Sequence, residues 1–256
     1  MSFEQLCQQA RLRLLRMHYD SKVGHLGGNL SCLDALLFLH HQVMQNDDTF
    51  VLAKGHAAGA LYITLWSIGR LSDADLAQFH QDGTHLAGHP VSGWMPDISV
   101  ATGSLGHGFP VSTGMALAKR LQETSGRVFC LMSDGEWQEG SNWEALIFAA
   151  HQQLNNLTVL IDVNGLQGFG TTTEVASMGD LLKRLSAFNV KITVIDGHDP
   201  SQLAILHEPA ESGPHFIFMN TIKGKGVSFM ENRLEWHYLP LNSAQYEQAC
   251  RELEQT

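Results

Sequence analysis

The hydrophobic positions of this chain fall into two patterns. Short, almost wholly apolar runs occur at RVFCLM (127–132), LTVLID (157–162), KITVID (191–196) and HFIFMN (215–220). Runs of this kind read as strands buried on both faces. Elsewhere apolar residues recur every three to four positions, over 3–18, 31–44, 56–69, 73–80, 107–123, 141–154 and 243–255. These stretches read as helices. Buried strands separated by helices predict an α/β fold, a parallel sheet with helices on both faces. No internal repeat or low-complexity linker breaks the pattern, so residues 1–256 read as a single domain.

Two glycine turns follow two of these strands. The first strand leads into Ser133-Asp134-Gly135 and the second into Val163-Asn164-Gly165, with the helix 141–154 between them. Such a crossover makes the two strands parallel. As neighbours they bring Asp134 and Asn164 to about 5 Å from each other. They lie at the carboxyl edge, where open α/β sheets bind ligands. A carboxylate and a carboxamide oxygen are hard ligands that suit Mg2+ or Ca2+ better than zinc. Magnesium takes few carboxylates and fills its shell with phosphate and water, so the pair predicts a metal bridged to a diphosphate. The adjacent glycines let backbone approach phosphate closely. The plainer alternative is that Asp-Gly and Asn-Gly are ordinary turn dipeptides.

The Asp-Gly turn with Asn about thirty residues later resembles the thiamine diphosphate signature. The longer string DGEWQEGSNWEA…NGLQ resembles the transketolase family in particular. SKVGHLGGNLS (21–31), FVLAKGHAAGALY (50–62), GHP (88–90), ATGSLGHG (101–108), IDGHD (195–199) and TIKGKGVSFMENRLEWH (221–237) follow in that family's order. The resemblance spans the whole chain but only the first half of a full transketolase. It implies the N-terminal subunit of a split transketolase, with the thiamine-diphosphate-binding fold of the diphosphate (PP) type. It also implies a separate C-terminal subunit carrying the pyrimidine-binding domain, in an α2β2 assembly.

By position in those motifs, the resemblance makes Asp134, Asn164 and the Leu166 carbonyl the ligands of Mg2+, with Ca2+ or Mn2+ able to substitute. Gly135 and Lys223 would meet the diphosphate of thiamine diphosphate, and Gly103, Ser104 and Leu105 its rings. His56 and His237 would lie near the diphosphate and reaction centre, and His25 and His89 would hydrogen-bond the donor and acceptor sugars. Glu139 and Glu144 would belong to the acidic network at the subunit interface. The implied reaction moves a two-carbon ketol unit from a ketose phosphate to an aldose phosphate. Breaking and remaking that carbon–carbon bond requires protons to move on and off sugar oxygens, work suited to histidine near neutral pH.

Not every matching residue type is a site. Of the 14 histidines, His40, His41, His151 and His207 read as surface or capping residues. Glu139 also suits a helix N-terminus on charge grounds alone. Lys54 in AKGH reads equally as a diphosphate contact or as a solvated lysine. Three positions depart from the family: Ser133 replaces the first glycine of Gly-Asp-Gly, His107 replaces a frequent glutamine, and Tyr238 replaces the glycine of Trp-His-Gly.

Composition narrows the alternatives. A formal charge of −10 argues against nonspecific nucleic-acid or anionic-membrane binding, though not against a small anion. Cys7, Cys32, Cys130 and Cys250 lack zinc spacing and suit a reducing compartment, Cys32 and Cys130 as buried thiols. The N-terminus lacks a signal peptide's apolar run, so a cytoplasmic location is expected. A 1-deoxyxylulose-5-phosphate synthase-like or decarboxylating thiamine enzyme fits the strings EGSNWEA and EWH less well. A non-catalytic regulatory subunit sits poorly with intact Asp134 and Asn164. A metal hydrolase on His80, His85 and His89 lacks a common helical face, and the glycine strings are not in dinucleotide-binding order.

Overall fold

The computed structural model describes residues 1–255. Helix α1 (Phe3–Ser21) opens on a reciprocal cap, in which the Ser2 hydroxyl accepts from the Gln5 amide and the Gln5 side chain accepts from the Ser2 amide. Helix α2 (Leu26–Phe38) runs on into a wide turn, Leu39–Val43. It starts earlier than the expected 31–44. Gly27 and Gly28 are poor helix formers that hide its first turn from periodicity. Every residue of α2 is buried, so packing decides its conformation.

Strand β1 (Thr49–Leu52) was not expected; four residues are too few for a periodic signal. A tight turn at Gly55–Ala57 leads into α3 (Ala58–Ser67), and α4 (Asp73–Leu76) is shorter than its expected span. Then come α5 (Gly108–Leu121), β2 (Val128–Ser133), α6 (Gly140–His151) and β3 (Leu157–Val163), each within a few residues of expectation. A small hairpin, β4 (Leu166–Gln167) and β5 (Gly170–Thr171), precedes the short helices α7 (Thr172–Ala176) and α8 (Leu181–Leu185). β6 (Lys191–Asp196), α9 (Pro200–Leu203), β7 (His215–Asn220) and α10 (Ser243–Glu254) complete the order.

Five strands form one parallel sheet in the order β1-β2-β3-β7-β6. Alternate side chains of a strand point to opposite faces. Phe129 and Leu131 of β2 join a core with Leu14, Leu30, Leu33 and Leu61 from α1, α2 and α3. Val128, Cys130 and Met132 join the other core, with Phe109, Trp137 and Leu146 on the side of α5 and α6. The sheet is thus covered on both faces, as its apolar strands require.

All four cysteines are free, and Cys7, Cys32 and Cys130 are buried. No helix among the described residues is long and apolar enough to cross a membrane. His151 and His207 are exposed, but His40 and His41 are half-buried. His40 pairs with the Leu36 carbonyl at 2.9 Å, and His41 with the Ser67 hydroxyl at 2.8 Å.

Candidate active site

In the sheet register Ser133 lies beside Asp162, which sets the two glycine turns side by side. The Asp134 amide donates to the Asp162 carbonyl at 3.1 Å. The Asp134 carboxylate spans both turns: it accepts from the Gly135 amide and from the Gly165 amide, each at 2.7 Å. Asn164 turns its carbonyl toward the Leu166 amide, 3.1 Å away, and its NH2 toward Asp162 at 3.2 Å. A pocket of about 180 Å3 opens on this edge, lined by His56, Asp134, Asn164, Leu166, Lys223 and His237 among others.

The four histidines singled out in the sequence cluster at this edge, and two of them, His56 and His237, line the pocket. The His25 ring lies 5.9 Å from His56, 5.7 Å from His89 and 5.0 Å from His237, and His56 lies 5.5 Å from His237. They come from four separate turns. His25 holds a left-handed backbone (φ 65°) just before α2, unusual for a side chain other than glycine. Asn29, fully buried, locks two of those turns: its Nδ2 donates to the carbonyls of His25 (2.8 Å) and His56 (3.1 Å). A side chain on Gly27 would press on Lys223 at 3.2 Å, and one on Gly28 would meet the His56 ring at 3.5 Å. The glycines that obscured the start of α2 let these two groups approach.

Burial governs the electrostatics. It pushes His25 down to about 4 and, with Lys223 adding, His237 down to about 3. His56 and His89 are lowered for the same reason. All four rings are therefore neutral near pH 7 and able to donate and accept. Lys223, 1% exposed, is lowered to about 8 by burial and by Lys54. It stays charged at neutral pH and donates to His237 Nδ1 at 3.1 Å and the Leu166 carbonyl at 3.3 Å. His237 must then carry its proton on Nε2.

Asp134 is held up at about 6, by burial first and then by the charge of Asp162. No ion pair relieves it among the described residues. Lys54 overturns both readings given to it: it is fully buried, neither solvated nor turned to the pocket, and pairs with Asp162. Burial opposes its charge, but Asp162 more than offsets that and raises it.

The remaining expected residues sit around this pocket. Leu105 lines it, and Gly103 lies beside the His89 ring, 3.9 Å from where a Cβ would be. Ser104 is exposed on the same loop. Glu139, just before α6 and beside Gly106, and Glu144, on α6, are exposed, as are Ile147 (57%) and Phe148 (39%) of the same helix. Sequence reading missed Asn29, Asp162 and Glu136. Glu136 is buried and accepts from the Gly106 amide at 3.0 Å and the Ser133 amide at 3.4 Å, joining the 103–106 loop to the Asp134 turn. Its position directly after Asp-Gly was the available signal. His85 stacks on Trp94, and no group of three His, Cys, Asp or Glu among the described residues could hold a metal, against the hydrolase alternative.

The family described as "Transketolase, thiamine diphosphate binding domain" matches residues 8–254. This chain belongs to the transketolase family. It is 37% identical over 258 residues to one subunit of the apulose-4-phosphate transketolase of Phocaeicola vulgatus, covering 96% of this chain and 92% of that protein. It is 35% identical over 244 residues to a 6-deoxy-6-sulfo-D-fructose transketolase subunit of Clostridium sp. strain MSTE9, covering 91% and 89%. The crystal structure of transketolase from Campylobacter jejuni superposes with a TM-score of 0.90 at 25% identity, over 99% of this chain but 43% of that one. The chain thus spans nearly the full length of the subunit relatives and less than half of a single-chain transketolase.

For a transketolase domain the residues on this edge fit a divalent cation and a diphosphate. Asp134 is a buried carboxylate without a cation, and its neighbours Asn164 Oδ1 and the Leu166 carbonyl are oxygens of the kind magnesium prefers. Lys223 and the open backbone at Gly135 face the same space.

Proposed function

We propose that this chain is the diphosphate-binding subunit of a two-part transketolase, working with a separate C-terminal subunit. The reaction moves a two-carbon ketol unit from a ketose to an aldose. The observation that carries this reading is a pocket that His56 and His237 share with Asp134, Asn164 and Lys223, with the rings of His25 and His89 packed next to them. Asp134, Asn164 and the Leu166 carbonyl would hold Mg2+, which Ca2+ or Mn2+ can replace. Gly135 and Lys223 would hold the diphosphate, with Gly103, Ser104 and Leu105 along the cofactor rings.

Bound thiamine diphosphate supplies the electron sink for carbon–carbon cleavage. The protein supplies the positions and the proton traffic. His237 presents Nε2–H to the substrate because Lys223 occupies Nδ1. His25, His56 and His89, neutral near pH 7, can each take a proton from a sugar hydroxyl and return one to an oxygen. The two relatives are named for a ketose phosphate and a ketose sulfonate, both bearing a terminal anion. A ketose with such a terminus is the substrate class proposed here. Exposed Val111 and Leu121 on α5 and Ile147 and Phe148 on α6, the helix that carries Glu144 and follows Glu139, support a subunit interface there, in an α2β2 assembly. A cytoplasmic location completes the proposal.

The test is ketol transfer by the chain reconstituted with its C-terminal partner. Asp134→Ala is expected to abolish cofactor-dependent cleavage of a ketose phosphate. An unchanged rate would remove the metal site and this reading with it.

A further inference from the structure

Behind Asn164 lies a buried polar network whose charged members, Lys54 and Asp162, do not line the pocket. Lys54 Nζ donates to the Gly28 carbonyl (2.7 Å), to the Ser31 hydroxyl (3.2 Å) and to Asp162 Oδ2. The Ser31 hydroxyl also donates to Asp162 Oδ2, at 2.5 Å, and the Thr221 hydroxyl to Asp162 Oδ1. Asn164 Nδ2 donates into this cluster, to Asp162 Oδ2 at 3.2 Å and Ser31 Oγ at 3.4 Å. Lys54, Ser31 and Asp162 are each fully buried.

A carboxamide has two similar ends, and only one can ligate a cation. Asp162 is an acceptor, so the end of Asn164 facing it must be the NH2. The oxygen is thereby turned the other way, toward the Leu166 amide and the mouth of the pocket. Without Asp162, nothing in that cluster would oblige the amide to choose this rotamer, because serine can accept or donate. Asp162 in turn is held by Lys54 and Thr221 from two sides.

We propose that Asp162, held by Lys54 and Ser31, is a positioning residue that aims the Asn164 oxygen at the metal. This rests on the metal site proposed above. Partners of this kind, one step behind a ligand, typically change metal affinity by about 10–100-fold.

The experiment is Mn2+ titration by electron paramagnetic resonance. It uses the reconstituted complex with saturating thiamine diphosphate, and Asp134→Ala as control. Asp162→Asn should weaken Mn2+ binding by about 10–100-fold. Ser31→Ala, which leaves the ion pair in place and tests the same arrangement if Asp162→Asn fails to fold, should weaken it in the same direction. Removing the Asp162 charge alone could also loosen a cation, so the decisive comparison is made in an Asn164→Ala background. There Asp162→Asn should add no more than about twofold, the scatter between independent sites. Parent-like Mn2+ affinity in both Asp162→Asn and Ser31→Ala would overturn the proposal, as would an undiminished effect of Asp162→Asn without Asn164. Parent-like affinity in Asp134→Ala would instead overturn the metal site, and the positioning role with it.

Discussion

The His25 amide donates to the His237 carbonyl at 3.1 Å, and the two rings meet edge to face 5.0 Å apart. The backbone bond ties the turn before α2 to the turn near the C-terminus without using either ring. With Lys223 on its Nδ1, His237 keeps Nε2 for chemistry. His237→Ala should therefore lower kcat/KM by about 10²–10⁴-fold. Its cost in stability should be about 1 kcal/mol, the worth of a lost aromatic contact. Steady-state kinetics with thermal melting separates the two effects, and a variant that merely unfolds would show the reverse ranking.

Tyr238 occupies the place of the family's usual glycine and closes one side of the pocket. Its hydroxyl donates to the Gly168 carbonyl at 2.8 Å, tethering the hairpin of β4 and β5, whose tip Phe169 is 85% exposed. Tyr238→Phe should free that hairpin at a cost of about 1 kcal/mol or less. Faster protease cleavage at Phe169, with an almost unchanged Tm, is the expected result. Tyr238→Gly should in addition admit a wider range of acceptor aldoses, read as kcat/KM across a series of chain lengths.

Glu136 is the one acceptor that two buried amides share, from Gly106 and Ser133. Glu136→Leu leaves both without a partner, at about 1–3 kcal/mol each. Urea unfolding should show that loss. Thiamine diphosphate affinity should fall as well, because the 103–106 loop is released. Glu136→Gln, which retains one carbonyl acceptor, should recover part of each.

Most of this site was legible because its parts are strong local signals. Asp134-Gly135 and Asn164-Gly165 end apolar strands, and the four histidines stand beside glycines or in turns. Three things were not legible. The start of α2 was masked because Gly27 and Gly28 serve close packing at the expense of helix propensity. Lys54, Asp162 and Asn29 act through contacts across 108, 131 and 27 residues of sequence. No local pattern marks such pairs. Strand β1 was lost for a third reason, being too short to show a period.

Stability should depend on pH through His18. This ring is 2% exposed, and burial pushes it down to about 4. The unfolded chain binds this proton near 6.5 and the folded chain near 4, so between those values the unfolded state holds more protons. The contribution is complete above pH 6.5 and is lost as pH falls toward 4, at no more than about 1.4 kcal/mol per unit. Other histidines lowered by burial, His25 among them, titrate in the same window, so His18→Leu should make the stability profile there less steep without flattening it. Denaturant midpoints at pH 7 and pH 5, for parent and variant, check it.

The exposed apolar side chains of α5 and α6, with Leu121 73% and Ile147 57% exposed, have a consequence for how this chain behaves on its own. A surplus copy would offer those side chains to any other surplus copy. At high concentration the chain expressed alone would therefore self-associate through these helices more readily than a domain of its size with a wholly polar surface.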